Sequence, residues 1–231
     1  MSSPTAVILG VGPGLGAALF RRFRVAGLTV AAAARDVGRL AARFAGDDGV
    51  RSIACEATDE AAVARLFAAA EAEFGPADLA IYNAAAYKLA PFLDLTAADF
   101  ADVWRISCLG AFHFGQQAAQ RMVARGAGTI LFTGSAAQMR AGASYAALAP
   151  AKSGLRALVQ AMGRELAPKG IHVGHVVIDG PIASERTRVG VTDHARLLDP
   201  AAIADAYHFL YRQPRAAWTN EIDLRTFRDW P

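Results

Sequence analysis

The sequence predicts one doubly wound α/β domain, a parallel sheet covered on both faces by helices. Three observations carry that prediction. Apolar runs of strand length alternate with segments whose apolar residues recur at helical spacing. Glycine, proline and capping residues mark the junctions between them. The 231 residues, 54% of them apolar, are enough for a sizeable core, and no linker, repeat or low-complexity tract divides the chain. Strands that alternate with helices need crossover connections, which run the strands parallel and place helices on both faces. The domain is expected to span residues 1–231.

The first strand is "TAVILGV", and "LGAALFRRFRVAG" is the helix after it, ending at Gly27. "LTVAAAAR" is a second strand with "VGRLAARFA" as its helix. "VRSIACEA" is a third, followed by "TDEAAVARLFAAAEAEFG", where Thr58 and Asp59 stand at the helix start as capping residues. "ADLAIYNAA" leads to a long helix from about Ala97 to Arg125, and "GTILFTGSAA" to a helix from about Pro150 to Leu166. "GIHVGHVVIDG" is the sixth strand. The last helix, "DPAAIADAYHFLY", opens with Asp199 as cap and Pro200 in the first helical position, where a missing N–H is harmless. The short apolar stretch "NEIDLRTF" follows.

Charge and composition narrow the function. The 24 basic and 21 acidic residues are interspersed, and no basic stripe with interleaved aromatics points to nucleic acid. No apolar stretch reaches the length of a membrane span, and the opening "AVILGVG" lacks a basic flank and a cleavage pattern, so a soluble cytoplasmic protein is expected. Cys55 and Cys108 have no paired spacing and read as buried reduced thiols. His172 and His175 fall on opposite faces of a strand, which favours structural roles over a metal site.

"LGVGPGLGAAL" places Gly10, Gly12, Gly14 and Gly16 between the first strand and its helix. Backbone N–H groups without side chains around them let a pyrophosphate approach the helix N-terminus. Glycines also close ordinary turns; the position of this one, first in a full α/β alternation, favours the nucleotide. Arg35 follows the second strand, and Ala34 leaves no carboxylate there to accept a ribose hydroxyl. A cation at that place pairs with a 2′-phosphate, which favours NADP(H) over NAD(H); the alternative makes Arg35 a surface turn residue.

The spacing of Gly10, Gly14 and Gly16, with Leu15 between the last two, resembles the TGxxxGxG turn of the short-chain dehydrogenase/reductase family, whose fold is a Rossmann domain. The resemblance covers nearly the whole chain. "DLAIYNAA" is similar to the family's DxLVNNAG segment, which implies Asn83 and Ala84 on the adenine side of the cofactor groove. Glu56, followed by Ala57, stands where the family usually has an adenine-contacting Asp. "DGPIAS" is similar to PGxxxT, which implies Gly180, Ile182 and Ser184 at the nicotinamide carboxamide, with Asp179 in the usual place of proline. "GTILFTGSAA" resembles the strand ending in the catalytic serine, here Ser135, and "AKSGLRALVQAMGRELAPKGIHV" resembles the lysine helix, which assigns Lys152.

In this family a tyrosine transfers the substrate proton, a lysine holds the ribose and lowers the tyrosine's pKa, and a serine bonds the substrate oxygen. The usual tyrosine position, four before Lys152 and thirteen after Ser135, holds Leu148, which has no proton to give. Ser107, in "ISCLGAF", replaces the family's helix asparagine. The enoyl-thioester reductase branch carries its tyrosine with six residues between it and the lysine, and "YAALAPAK" matches that spacing with Tyr145 and Lys152 at its ends. Residues seven apart return to one helical face, but Pro150 disfavours helical geometry at Ala149, which puts Tyr145 on the entering loop.

Two functions follow from these residues. One is an NADP(H)-dependent reductase of a small carbonyl or enoyl substrate, with Tyr145 as proton donor; Ser135 leans toward a ketone and the tyrosine spacing toward a thioester. The other is a nucleotide-binding scaffold or redox sensor in which catalysis is impaired and Tyr145 is an ordinary loop aromatic. The resemblance implies a substrate-covering lid at "PIASERTRVGVTDHARLL", where Arg186 and Arg188 either hold an anionic substrate group or are solvated. It also implies a homodimer or homotetramer built partly from the long helix and the lysine helix. The tail "AAWTNEIDLRTFRDWP" departs from the family's glycine-rich ending.

Overall fold

The computed structural model describes residues 3–44, 46–184, 187 and 193–228. Its central strand β1 (Thr5–Leu9) is buried along its whole length, as a strand covered on both faces must be. On one side of it lie β2 (Thr29–Ala34) and β3 (Val50–Ala54). On the other lie β4 (Ala77–Tyr82), β5 (Gly128–Thr133), β6 (Ile171–Asp179) and β7 (Glu221–Arg225). All pairings are parallel, in the order β3-β2-β1-β4-β5-β6-β7. The chain's path reverses direction between β1 and β4, and an open α/β sheet binds ligands in the crevice that such a reversal leaves at the strands' C-terminal ends.

Among the described residues seven helices flank the sheet: α1 (Leu15–Val25), α2 (Val37–Arg43), α3 (Glu60–Phe74), α4 (Ala97–Trp104), α5 (Gly110–Arg125), α6 (Leu148–Leu166) and α7 (Pro200–Arg212). Alternate residues of β1 serve opposite cores. Val7 and Leu9 pack with Leu66 and Phe67 of α3, Phe114 of α5 and Leu155 of α6. Ala6 and Ile8 pack with Leu19 and Phe23 of α1 and with Ile203 and Leu210 of α7. Each large side chain so buried stabilises the fold by about 1.5–3 kcal/mol.

The predicted strands and helices are present, with differences at their boundaries. The long helix is interrupted between α4 and α5 by a π-helical turn at Arg105–Leu109. α6 begins at Leu148 rather than Pro150, and the Ala149 N–H donates to the Tyr145 carbonyl at 2.9 Å. Ala149 is therefore helical despite the proline after it, and Pro150 sits in the first turn, where no amide donor is required. "NEIDLRTF" contributes β7, the edge strand beside β6. Asp59 and Asp199 cap α3 and α7 by accepting from Ala62 N and Ala201 N. Both cysteines are buried and free.

The β1–α1 turn depends on two glycines. Gly10 has φ +99°, and a Cβ there would stand 2.6 Å from the Asn83 carbonyl carbon and closer still to the Ala84 nitrogen. A Cβ on Gly16 would fall 2.7 Å from the Val11 Cα. Gly12, by contrast, has open space around it. Gly10→Ala is expected to lower stability in urea unfolding by about 1–3 kcal/mol. Gly12→Ala should stay within about 0.5 kcal/mol of the native chain.

Candidate active site

The C-terminal ends of β4, β5 and β6 open into a cleft of about 1030 Å³. It brings together Gly14 and Leu15 from the β1–α1 turn, Asn83, Ser135, and Tyr145, Leu148 and Lys152 from the start of α6 and its entry loop. Gly180, Ile182 and Ser184 line it from the segment after β6. Gly10, Gly16 and Ala84 form packed backbone behind the turn. Arg35 is exposed after β2, and Glu56, beside Ala57, accepts from the Thr58 N–H and hydroxyl at 3.3 Å in the turn after β3. None of these three lines the cleft. Ser107 does not reach it either: the side chain is buried on the π-helical turn, where its Oγ accepts the Ala86 N–H at 3.3 Å. Arg186 and Arg188 lie outside the described residues.

Lys152 is 4% exposed, and its Nζ donates to the Thr133 carbonyl at 2.8 Å. Burial strips water from the ammonium and brings its pKa down to about 8, which the neighbouring Cys108 thiol only partly opposes. Thr133 also anchors a chain of donors. The Tyr207 hydroxyl and Thr133 Oγ1 are 2.6 Å apart, Thr133 Oγ1 donates to Asn83 Oδ1 at 2.9 Å, and Asn83 Nδ2 donates to the Gly10 carbonyl at 2.9 Å. With its proton given to Asn83, Thr133 accepts from Tyr207.

Ser135 caps the short turn after β5, and its Oγ accepts the Ala137 N–H at 3.3 Å, which leaves its own proton to donate. Leu148 is 1% exposed and belongs to an apolar cluster with Val103, Ala147 and Ala151. Tyr145 stands on the loop entering α6. Ser144 before it has a left-handed φ of +68°, and the Ser144 carbonyl accepts the Ala90 N–H at 3.2 Å. The Tyr87 hydroxyl donates to the Tyr145 oxygen at 3.3 Å. At the end of β6 Asp179 pairs with Arg140 and, at 3.4 Å, with Arg225, which also pairs with Asp223.

The residues missed in the sequence are Tyr87, Tyr207 and Arg140, which fall in no recognisable motif, and Thr133, which lies within "GTILFTGSAA" two residues before Ser135. His172 and His175 have structural partners: His172 bonds the Thr219 carbonyl at 2.9 Å and stacks on Trp218, and His175 meets Glu221 at 3.0 Å. Among the described residues no group of three or more His, Cys, Asp or Glu side chains can hold a metal. No helix among them is long and apolar enough to cross a membrane.

The turn fits a dinucleotide. α1 begins after Gly14 with no side-chain cap and no acid in its first turn, so the helix's own first turn does not compete for an anion at this end of the dipole. Comparison with known proteins agrees. The short chain dehydrogenase family matches residues 4–192. The chain belongs to that family. It is an oxidoreductase of the short-chain dehydrogenase type, and the family binds NAD(P)(H). The 3-oxoacyl-(acyl-carrier-protein) reductase MabA of Mycobacterium avium is 31% identical over 186 residues, 80% of this chain and 70% of that protein. The D-threitol dehydrogenase of Mycolicibacterium smegmatis is 29% identical over 97% of this chain and 91% of its own. The crystal structure of a short-chain dehydrogenase from Rhodopseudomonas palustris superposes with TM-score 0.85 at 36% identity, covering 97% of this chain and 99% of that one.

The burial of Lys152 predicts a pH signature. The group ionises near pH 8 in the folded chain and near its ordinary 10.5 when unfolded. Between these values the unfolded chain binds more protons, so this group makes stability rise with pH across that window. Cofactor-free Lys152→Met is expected to lack that rise when its thermal unfolding is compared with the native chain from pH 7 to pH 10.

Proposed function

We propose that this short-chain dehydrogenase is an NADPH-dependent reductase of a small carbonyl compound, with Tyr145 as proton donor. The observation that supports it is the meeting of Ser135, Tyr145 and Lys152 in one cleft although the usual tyrosine position is leucine. When bound, the reduced nicotinamide supplies a hydride. Ser135 donates its free proton to the substrate oxygen and holds the carbonyl in place. Lys152 binds the ribose and carries positive charge beside the reacting oxygens. Tyr145 gives its proton to the oxygen that becomes the alcohol.

Gly14, Leu15 and the N-terminus of α1 would hold the pyrophosphate. Glu56, Ala57, Asn83 and Ala84 would serve the adenine side, Arg35 a 2′-phosphate, and Gly180, Ile182 and Ser184 the carboxamide. The relatives' names, a 3-oxoacyl reductase and a threitol dehydrogenase, describe carbonyl and alcohol chemistry and support a carbonyl over an enoyl substrate. A scaffold without catalysis would leave the buried ammonium and the free serine proton of one cleft without a purpose. Phe100 and Trp104 on α4 and Phe112 on α5 are exposed apolar residues, which supports self-association through the α4–α5 face as a homodimer or homotetramer.

Tyr145→Phe is expected to lower kcat for ketone reduction about a hundredfold or more while the NADPH dissociation constant stays native. Undiminished turnover in that variant refutes the assignment. Arg35→Asp should weaken NADPH binding about tenfold or more and favour NADH, read by titrating each cofactor's fluorescence.

A further inference from the structure

A second phenol shares the cleft with Tyr145. Tyr87, on the segment after β4, lines the same cavity, and its ring meets that of Tyr145 edge to face, with centroids 6.4 Å apart at 87°. Its hydroxyl donates to the Tyr145 oxygen at 3.3 Å. A phenol oxygen that accepts one hydrogen bond keeps its own hydrogen for another acceptor. Tyr145 is thereby committed to pointing its O–H away from Tyr87.

We infer that Tyr87 is the positioning residue for the proton donor and the route by which that donor regains a proton from solvent. This inference rests on Tyr145 being the donor. The backbone supports it independently. Ser144, immediately before Tyr145, is the only described residue other than glycine with positive φ, and the Ala90 N–H holds its carbonyl at 3.2 Å. A left-handed serine is costly and persists where the surroundings over-determine it, which here means where the two tyrosine-bearing loops are tied together.

Exposure runs in the direction a relay needs. Tyr87 is 65% exposed, whereas Tyr145 is half-buried. Partial burial of Tyr87 and the hydrogen bond it donates hold its pKa up, to about 12, so at neutral pH it carries the proton to be passed. Among the described residues the charged groups lining the cleft are Lys152 from α6, Arg140 after β5 and Asp179 at the end of β6. Asp179 is engaged by two arginines, and Lys88, next to Tyr87, pairs with Asp99 of α4 at 3.2 Å. Among the described residues no unpaired carboxylate is left in the cleft to do the same work.

The proton balance is as follows. The Tyr145 O–H bond breaks as a new O–H bond forms on the substrate oxygen, leaving a phenolate. The Tyr87 O–H bond then breaks toward that phenolate, and Tyr87 takes a proton from water or a buffer acid. No electrons are exchanged in these steps; the electron pair that reduces the carbonyl arrives with the cofactor's hydride.

Tyr87→Phe removes the hydroxyl and keeps the ring. The expected result is a fall in kcat of about tenfold, with KM within about twofold of native, because a hydrogen bond to a developing charge is lost. Small buffer acids such as imidazole should restore part of the rate in this variant and leave the native enzyme unchanged, an effect that a merely structural role does not produce. In cofactor-free protein carrying 3-fluorotyrosine in place of Tyr145, the fluorine resonance should shift when Tyr87 is changed to Phe. An unchanged kcat, or a loss that imidazole does not restore, overturns the inference, as does an unmoved resonance. If Tyr145→Phe still turns over, the proposed function itself fails. If that variant is inactive while Tyr87→Phe is native-like, only the relay fails.

Discussion

The site depends on Thr133, the last residue of β5, where two sets of hydrogen bonds meet. Its side chain joins Tyr207 of α7 to Asn83, and Asn83 in turn holds the Gly10 carbonyl in the β1–α1 turn. Its carbonyl receives the Lys152 ammonium. One residue thus ties the glycine turn, two strand ends, a helix from each face of the sheet and the lysine into a single arrangement. The directions are fixed by valence: Tyr207 gives to Thr133, Thr133 to Asn83, and Asn83 to Gly10. Burial pushes the Tyr207 phenol up in pKa, so it remains a donor throughout the ordinary pH range. In a low-dielectric interior such a chain is rigid when complete and expensive when broken.

Rigidity on that side contrasts with the placement of the phenol. Leu148 occupies the helical position from which a side chain enters the cleft directly; it lines the cleft without a proton to give and packs with Val103 and Ala147. The phenol has moved to a loop, and a loop side chain needs support that a helix gives without extra contacts. Tyr87, the strained Ser144 and the Ala90–Ser144 hydrogen bond are the contacts available for that purpose. The substitution at 148 and the tyrosine pair are therefore two sides of one rearrangement.

Most of the fold was legible because its signals are local. Buried strands are continuous apolar runs, helices repeat their apolar residues, and Asp59, Asp199 and Pro200 mark helix starts within one turn of where they act. The π-helical turn carries no composition of its own. β7 is an edge strand with only partial burial, so its residues do not form an uninterrupted apolar run. In the site, Ser135 and Lys152 were legible through spacing, as was the loss at Leu148. Tyr87 and Tyr145 are 58 residues apart, and Thr133 and Tyr207 are 74 apart, and pairings at such range leave no periodic trace. Ser107, at the family's helix-asparagine position, stands on a π-helical turn with its hydroxyl accepting the Ala86 amide, a local geometry that spacing alone does not show.

The departure at Asp179 has a physical account of the same kind. Proline at this position would end β6 without charge, whereas the aspartate draws Arg140 from the segment after β5 and Arg225 from β7 onto one carboxylate. Arg225 is shared with Asp223, so two guanidiniums and two carboxylates form one network beside the cleft. Tyr87 and Tyr145 line the same cleft, so a bound compound meets aromatic rings as well as these hydrogen-bonding groups. The segment after β6 that carries Gly180, Ile182 and Ser184 is thus anchored through Asp179 by the segment after β5 and by β7, a tether that proline cannot provide.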